Sequence, residues 1–243
     1  MDIVLFTDFG SSDIYLGQVK SVLHRLAPRA AVIDLANDLP PLNARASAHL
    51  LDALKNGFPE GSVFLCVVDP GVGTDRDTVV LDADSRCYVG PDNGLLSVVA
   101  ARATAVKLSS IAWRPAGLSD SFHGRDLFAP VVARIAAGTL PPDQLRPLSA
   151  LARSFGADDL EEIIYVDHYG NACTGIRSEH AGADRLLMAK GHRVAGARVF
   201  GEVPQGTPLW YANSHGLVEI VVNRGSAAQA FGLRVGDPVN WVD

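Results

Sequence analysis

An N-terminal α/β domain with a mostly parallel sheet, followed by a smaller all-β, barrel-like domain, is the fold class that this sequence predicts. Three observations carry it. In the first half, apolar runs of strand length alternate with segments whose apolar residues recur at helical spacing. Pro141-Pro142 then opens a stretch rich in Pro, Ser and Ala. Beyond Asp158 the apolar runs become short and are punctuated by Gly and Asn. Strand–helix alternation implies α/β layers with parallel strands, and evenly spaced short strands imply a closed all-β unit. The expected boundaries are 1–142 for the α/β domain, 143–158 for a linker and 159–243 for the barrel-like domain.

Taken in order, 2–6 reads as a strand. Residues 13–26 read as a helix, with Leu16, Val19, Val22, Leu23 and Leu26 on one face, a stop before Pro28, and Asp13 suited to its N-cap. A second strand is expected at 31–35. Asn43 is placed to cap a helix running to about residue 56 and closed by Gly57. Residues 62–68 form a third, fully apolar strand, and 78–81 and 87–89 two short ones around a turn of Asp and Ser. Helix is expected at 94–102 and 125–137, with a strand at 105–108 between them. In the second half strands are expected at 161–166, 172–176, 185–188, 193–200, 209–212, 217–222 and 237–242. There is no internal repeat and no low-complexity tract.

The 243 residues, 48% hydrophobic, are enough for one large domain or two moderate ones with a real core. The net charge of −6, without a basic stripe carrying aromatics, argues against a nucleic-acid partner. No apolar run approaches a membrane span. Met1-Asp2-Ile3 enters a strand without a basic n-region, so no signal peptide is expected. Cys66, Cys87 and Cys173 are widely spaced and lack metal-ligand spacing, so buried reduced thiols in a cytoplasmic protein are expected. There is no diagnostic metal set, no G-x-S-x-G elbow, no phosphate-binding P-loop and no G-x-G-x-x-G after the first strand; no metal and no cofactor are expected.

What stands out is a set of polar, Gly-rich loops, most of them after strands, where a doubly wound sheet places its ligand crevice. In "TDFGSSD" (7–13), Asp8 projects at the strand end and suits a ribose diol, since a carboxylate accepts two hydrogen bonds at once; Asp13 reads as a cap. In "VVDPGVGTDR" (67–76) a core strand ends on Asp69, with Arg76 seven residues on and two glycines between. Asp69 and Arg76 are open to two readings: a solvated turn with a surface ion pair, or a ligand-facing pair that the glycines let the backbone approach. "GPDNGLL" (90–96) is a strong turn signal. "SFHGRDLFAP" (121–130) sets His123 just before a helix start, as a solvated loop histidine or as a proton handler near neutral pH. "DHYGNACTG" (167–175) and "WYANSHGLVEI" (210–220) read as hairpin turns or as polar site loops.

In order and spacing these six motifs resemble, over essentially the whole chain, the S-adenosylmethionine hydroxide adenosyltransferases, relatives of the fluorinating and chlorinating enzymes that use the same substrate. The resemblance implies an N-terminal α/β domain and a C-terminal β-barrel, and a homotrimer with active sites between the N-terminal domain of one subunit and the barrel of the next. It implies hydrolysis of S-adenosyl-L-methionine to adenosine and L-methionine. It places Asp69, Arg76 and His123 at the attacking water, Asp8 at the ribose, Asp167 at the methionine ammonium, Asn171 at the adenine and Ser214 at the methionine carboxylate, with Tyr169 and His215 beside them. Halogenating relatives differ at the Asp69 and His123 positions and carry Arg at the position of His215. Two alternatives remain: a halogenase, or a non-catalytic sensor that would keep Asp8, Asp167 and Asn171 without needing Asp69, Arg76 and His123 together.

The chemistry is coherent in itself. A sulfonium already departs well, so what is missing is a nucleophile at C5′. Water, of pKa about 15.7, attacks poorly, and a positioned carboxylate and imidazole typically contribute roughly 10²–10⁴-fold by orienting it and taking its proton.

Overall fold

A computed structural model describes residues 1–74, 76–182 and 185–242. The chain divides into two compact units, the first of Met1–Leu51 and Lys55–Ala157, the second of Asp52–Leu54 and Asp158–Asp243.

In the first unit, β1 (Ile3–Thr7) leads to α1 (Ile14–Leu26), β2 (Val32–Ala36), α2 (Ala44–Leu54) and β3 (Val63–Val67). There follow β4 (Thr78–Ala83), β5 (Arg86–Pro91), α3 (Ser97–Arg102) and β6 (Val106–Ile111). A π-helical turn, Gly124–Phe128, runs into α4 (Ala129–Ala136), and β7 (Leu145–Pro147) closes the unit. The strands form one seven-stranded sheet in the order β2-β1-β3-β5-β4-β6-β7. β2, β1, β3 and β5 are parallel, and β4, β6 and β7 extend the sheet antiparallel.

Burial explains why these segments form. β1 and β3 are buried at every position, as central parallel strands covered on both faces must be. Leu16, Val19 and Leu23 of α1 and Val131 and Val132 of α4 join Ile3, Leu5, Val63, Leu65 and Val89 in one core. Each such side chain removed from water contributes about 1.5–3 kcal/mol before entropy is counted. Asp13 caps α1 by accepting from the Ile14 N–H at 2.6 Å, and Asn43 caps α2 by accepting from the Ala46 N–H at 3.0 Å.

Two expectations in this unit are corrected. The helix expected at 125–137 starts as the π-helical turn, and its α-helical part begins only at Ala129. The turn begins at Gly124, where a Cβ would stand 2.5 Å from the Phe9 ring, so the chain packs closely where an α-helix was expected to begin. Within the stretch expected as linker, Leu145–Pro147 adds an edge strand to β6. An edge is where a strand tolerates the missing N–H donor of Pro147.

The second unit contains β8 (Leu160–Val166), β9 (Ala172–Arg177), β10 (Leu186–Ala189), β11 (His192–Val194), β12 (Pro208–Ala212), β13 (Leu217–Val222), a short α5 (Ala227–Phe231) and β14 (Val239–Val242). They form two antiparallel sheets, β12-β13-β9-β8 and β11-β10-β14. Ile163, Ile176, Leu187, Trp210, Val218 and Ile220 fill the core of this unit. The strand expected at 193–200 ends at Val194; Gly196 makes only an isolated bridge to Trp210, and Phe200–Glu202 is a 3-10 turn. Cys66, Cys87 and Cys173 are free and buried, and burial pushes all three thiols upward. No helix among the described residues is long and apolar enough to cross a membrane.

Candidate functional site

Asp8 follows β1 directly, and Asp69 lies two residues beyond the end of β3, its parallel neighbour. Parallel pairing thus delivers both carboxylates to the carboxyl ends of neighbouring central strands. His123 reaches them from the loop that heads the π-helical turn. Asp8, Asp69 and His123 line one cavity of about 330 Å³. Phe9, Tyr15 and Phe122 form an aromatic wall for it, with Phe9 and Tyr15 edge-on to Phe122 at 5.8 and 5.3 Å.

Arg76 does not line that cavity but holds Asp69 from behind. Its Nη1 donates to Asp69 Oδ1 at 2.7 Å, and the same oxygen accepts the Gly71 N–H at 3.1 Å. The Asp69 side chain is 9% exposed and that of Arg76 23%, so this is not the freely solvated pair that contributes almost nothing. The glycines make it possible. A Cβ on Gly71 would overlap Arg76 Nη2 and stand 2.7 Å from Cζ. Gly73 has φ +80°, and a Cβ there would meet the Asp120 carbonyl oxygen at 2.5 Å. Little bulk separates Asp69 from Arg76 because the guanidinium lies where a side chain would be.

Asp8 is half-buried. Burial pushes its carboxyl above the ordinary value; the Leu42 N–H, donating to Oδ2 at 3.4 Å, opposes that rise, and the charge of Asp69 adds to it. Leu42 makes this contact from φ +63°, a conformation uncommon for a non-glycine residue. Asp13, the α1 cap, lines the same cavity.

A second cavity, of about 650 Å³, lies within the second unit, and Asp167, Tyr169, Asn171, Ser214 and His215 all line it. Asp167 organises its own turn: Oδ1 accepts from the N–H groups of Tyr169 (2.9 Å) and Asn171 (2.8 Å), and Oδ2 from Asn171 Nδ2 (2.9 Å). Tyr169 is left 75% exposed at the rim. Asn213 shapes the facing turn by accepting from the N–H groups of His215 and Leu217, both at 3.0 Å.

Among the residues of this cavity that the sequence did not single out, two form a pair. Tyr211 and Glu219 stand directly opposite each other across β12 and β13, and the phenol donates to Glu219 Oε2 at 2.6 Å. Their signal was an acid in the middle of "LVEIVV", a strand otherwise wholly apolar. Among the described residues no group of three or more His, Cys, Asp or Glu is placed to hold a metal ion.

Comparison with known proteins adds to this geometry. Residues 3–146 match the family model described as SAM hydroxide adenosyltransferase N-terminal domain, and 161–240 the corresponding C-terminal domain. The chain is 40% identical to a protein of Thermus thermophilus named (R)-S-adenosyl-L-methionine hydrolase, over 98% of each chain. A fluorinase of Actinopolyspora mzabensis is 24% identical, over 96% of this chain and 94% of its own. The crystal structure of an uncharacterized conserved protein from Thermotoga maritima superposes with a TM-score of 0.89 at 32% identity, covering both chains fully.

Proposed function

This chain belongs to the SAM hydroxide adenosyltransferase family, and from that premise we propose that it hydrolyses S-adenosyl-L-methionine to adenosine and L-methionine. Water attacks C5′ in line with the sulfur. The C5′–O bond forms, the C5′–S bond breaks, the sulfur keeps the electron pair as the thioether of methionine, and one proton is released. The observation that carries this reading is Asp69, fixed by Arg76 and facing one small cavity together with Asp8 and His123. Asp69 and His123 orient the water and take its proton. Arg76 fixes the direction of Asp69 through the Nη1–Oδ1 bond. Asp8 accepts the ribose hydroxyls. Holding the water behind C5′ supplies the proximity contribution.

The cavity of the second unit serves the amino acid and the base: Asp167 the ammonium, Ser214 and His215 the carboxylate, Asn171 and the rim ring of Tyr169 the adenine. We place the protein in the cytoplasm as a homotrimer, with the nucleophile set of one subunit meeting the second unit of its neighbour. A heterologous contact closes into a ring when its rotation is a third of a turn.

Purified protein incubated with S-adenosyl-L-methionine, with and without halide and after exhaustive chelation, should release adenosine and methionine in equal amounts. A halogenated nucleoside, or activity that requires a divalent metal, would refute the reading. Co-expressed Asp69→Asn and Asp167→Ala chains, each inactive alone, should recover activity in mixed trimers; mixed trimers without activity would refute the shared site.

A further inference from the structure

Glu219 is a buried acid that the reaction as described leaves unused. It sits at the centre of β13, a strand buried along its whole length, and is itself 8% exposed. Strand register fixes its neighbours: Tyr211 lies opposite on β12 and Cys173 opposite on β9. Its oxygens accept from Tyr211 Oη at 2.6 Å and from Asn213 Nδ2 at 3.4 Å. Both donors are neutral. Among the described residues Glu219 has no ion-pair partner within 4.0 Å. Arg224 lines the same cavity and is exposed, yet no ion pair joins it to Glu219 or to Asp167.

An ionised carboxylate taken out of water is costly unless a cation meets it. Here two carboxylates, Asp167 and Glu219, face one cavity. Both act on the Tyr211 phenol: burial, then the hydrogen bond and charge of Glu219, then the charge of Asp167, push it far above its ordinary range. The phenol therefore keeps its proton and stays a donor to Glu219. A cavity in which two carboxylates have no ion-pair partner among the described residues, its one guanidinium lying exposed and unpaired with either, is complementary to a ligand that brings a cation.

We propose that Glu219, aimed by Tyr211 and Asn213, is a specificity-determining residue that favours ligands carrying an ammonium group over neutral nucleosides, acting beside Asp167. The identity of that ammonium, the amino group of the methionine moiety, rests on the function proposed above; the charge selection rests on the cavity alone.

The test compares the wild type with Glu219→Gln, which keeps the shape and removes the charge. Calorimetric titration with S-adenosyl-L-methionine should show affinity falling roughly tenfold or more, the loss expected for a charge-assisted contact. Inhibition of turnover by adenosine, which has no ammonium, should change less than twofold. Glu219→Asp should recover part of the loss, and Tyr211→Phe should reproduce a smaller part of it. Unchanged affinity for S-adenosyl-L-methionine, or an equal loss for both ligands, would overturn the proposal, since a merely structural glutamate affects both alike. If Glu219→Gln failed to fold, Glu219→Asp and Tyr211→Phe would carry the same comparison. A wild type that binds S-adenosyl-L-methionine without turning it over would refute hydrolysis instead; calorimetry would then read adenosine as well, and the charge comparison would stand.

Discussion

Adding one methyl group at Gly71 should disable the catalytic cavity without replacing any residue assigned to chemistry. The Cβ of Gly71→Ala would overlap Nη2 of Arg76 and stand 2.7 Å from Cζ. Restoring van der Waals separation, about 3.5–4.0 Å, forces the guanidinium back by roughly 1 Å or more. The Nη1–Oδ1 bond to Asp69, now 2.7 Å, is then stretched beyond hydrogen-bond reach. A hydrogen bond to a charged group contributes about 1.5–3 kcal/mol, and both side chains are buried enough for that to apply. Lost from the transition state, it corresponds to a fall of roughly tenfold to a hundredfold in kcat/KM. The assay is adenosine release by Gly71→Ala, Arg76→Ala and the double variant. Both single variants should lose activity by the same mechanism, so the double variant should be scarcely worse than Arg76→Ala. Additive losses would mean that the methyl group acts elsewhere. Full activity in Gly71→Ala would refute the claim that Arg76 must hold Asp69.

Asp69→Asn and His123→Ala should leave S-adenosyl-L-methionine binding within a few-fold and remove most of kcat, roughly 10²-fold or more; calorimetry paired with single-turnover rates separates the two, and wild-type turnover in Asp69→Asn would eliminate the proposed water site. Asp8→Asn should weaken substrate binding yet stabilise the free protein at neutral pH. Burial raises the folded-state pKa of Asp8 above its ordinary 3.8, so its contribution to stability is fully present below about pH 4 and is lost as pH rises through the folded value. The thermal midpoint of Asp8→Asn should therefore exceed that of the wild type at pH 7 and approach it on acidification towards pH 4; a gap that widens in acid would contradict the sign.

What the sequence discloses here depends on whether a feature is local. The face of α1 was legible because Leu16, Val19 and Leu23 recur at helical spacing, and β3 because an unbroken apolar run of strand length, bounded by turn residues, fits a strand covered on both sides. The cap residues Asp13 and Asn43 act on backbone groups one to three residues away. The failures are non-local. The π-helical turn before α4 begins at Gly124, which packs on Phe9, more than a hundred residues earlier in the chain, and no periodicity encodes that contact. The run 193–200 is apolar enough for a strand, but it needed a partner, and Gly196 finds only one bridge, to Trp210. The polar loops divide in the same way. "VVDPGVGTDR" posed its question openly, because a strand should not end on a carboxylate without reason, yet only the space above Gly71 showed how Arg76 reaches Asp69. Glu219 was overlooked because "LVEIVV" reads as a core strand with one flaw. That flaw acquires a meaning only through register: the pairing of β12 with β13 sets Tyr211 opposite Glu219, and the turn that joins them lets Asn213 reach the same carboxylate. An acid that a central strand keeps buried, with two neutral donors and no ion-pair partner among the described residues, is a cost that folding alone does not explain. It is therefore the position where the demands of a ligand, rather than those of the core, have been written into the strand.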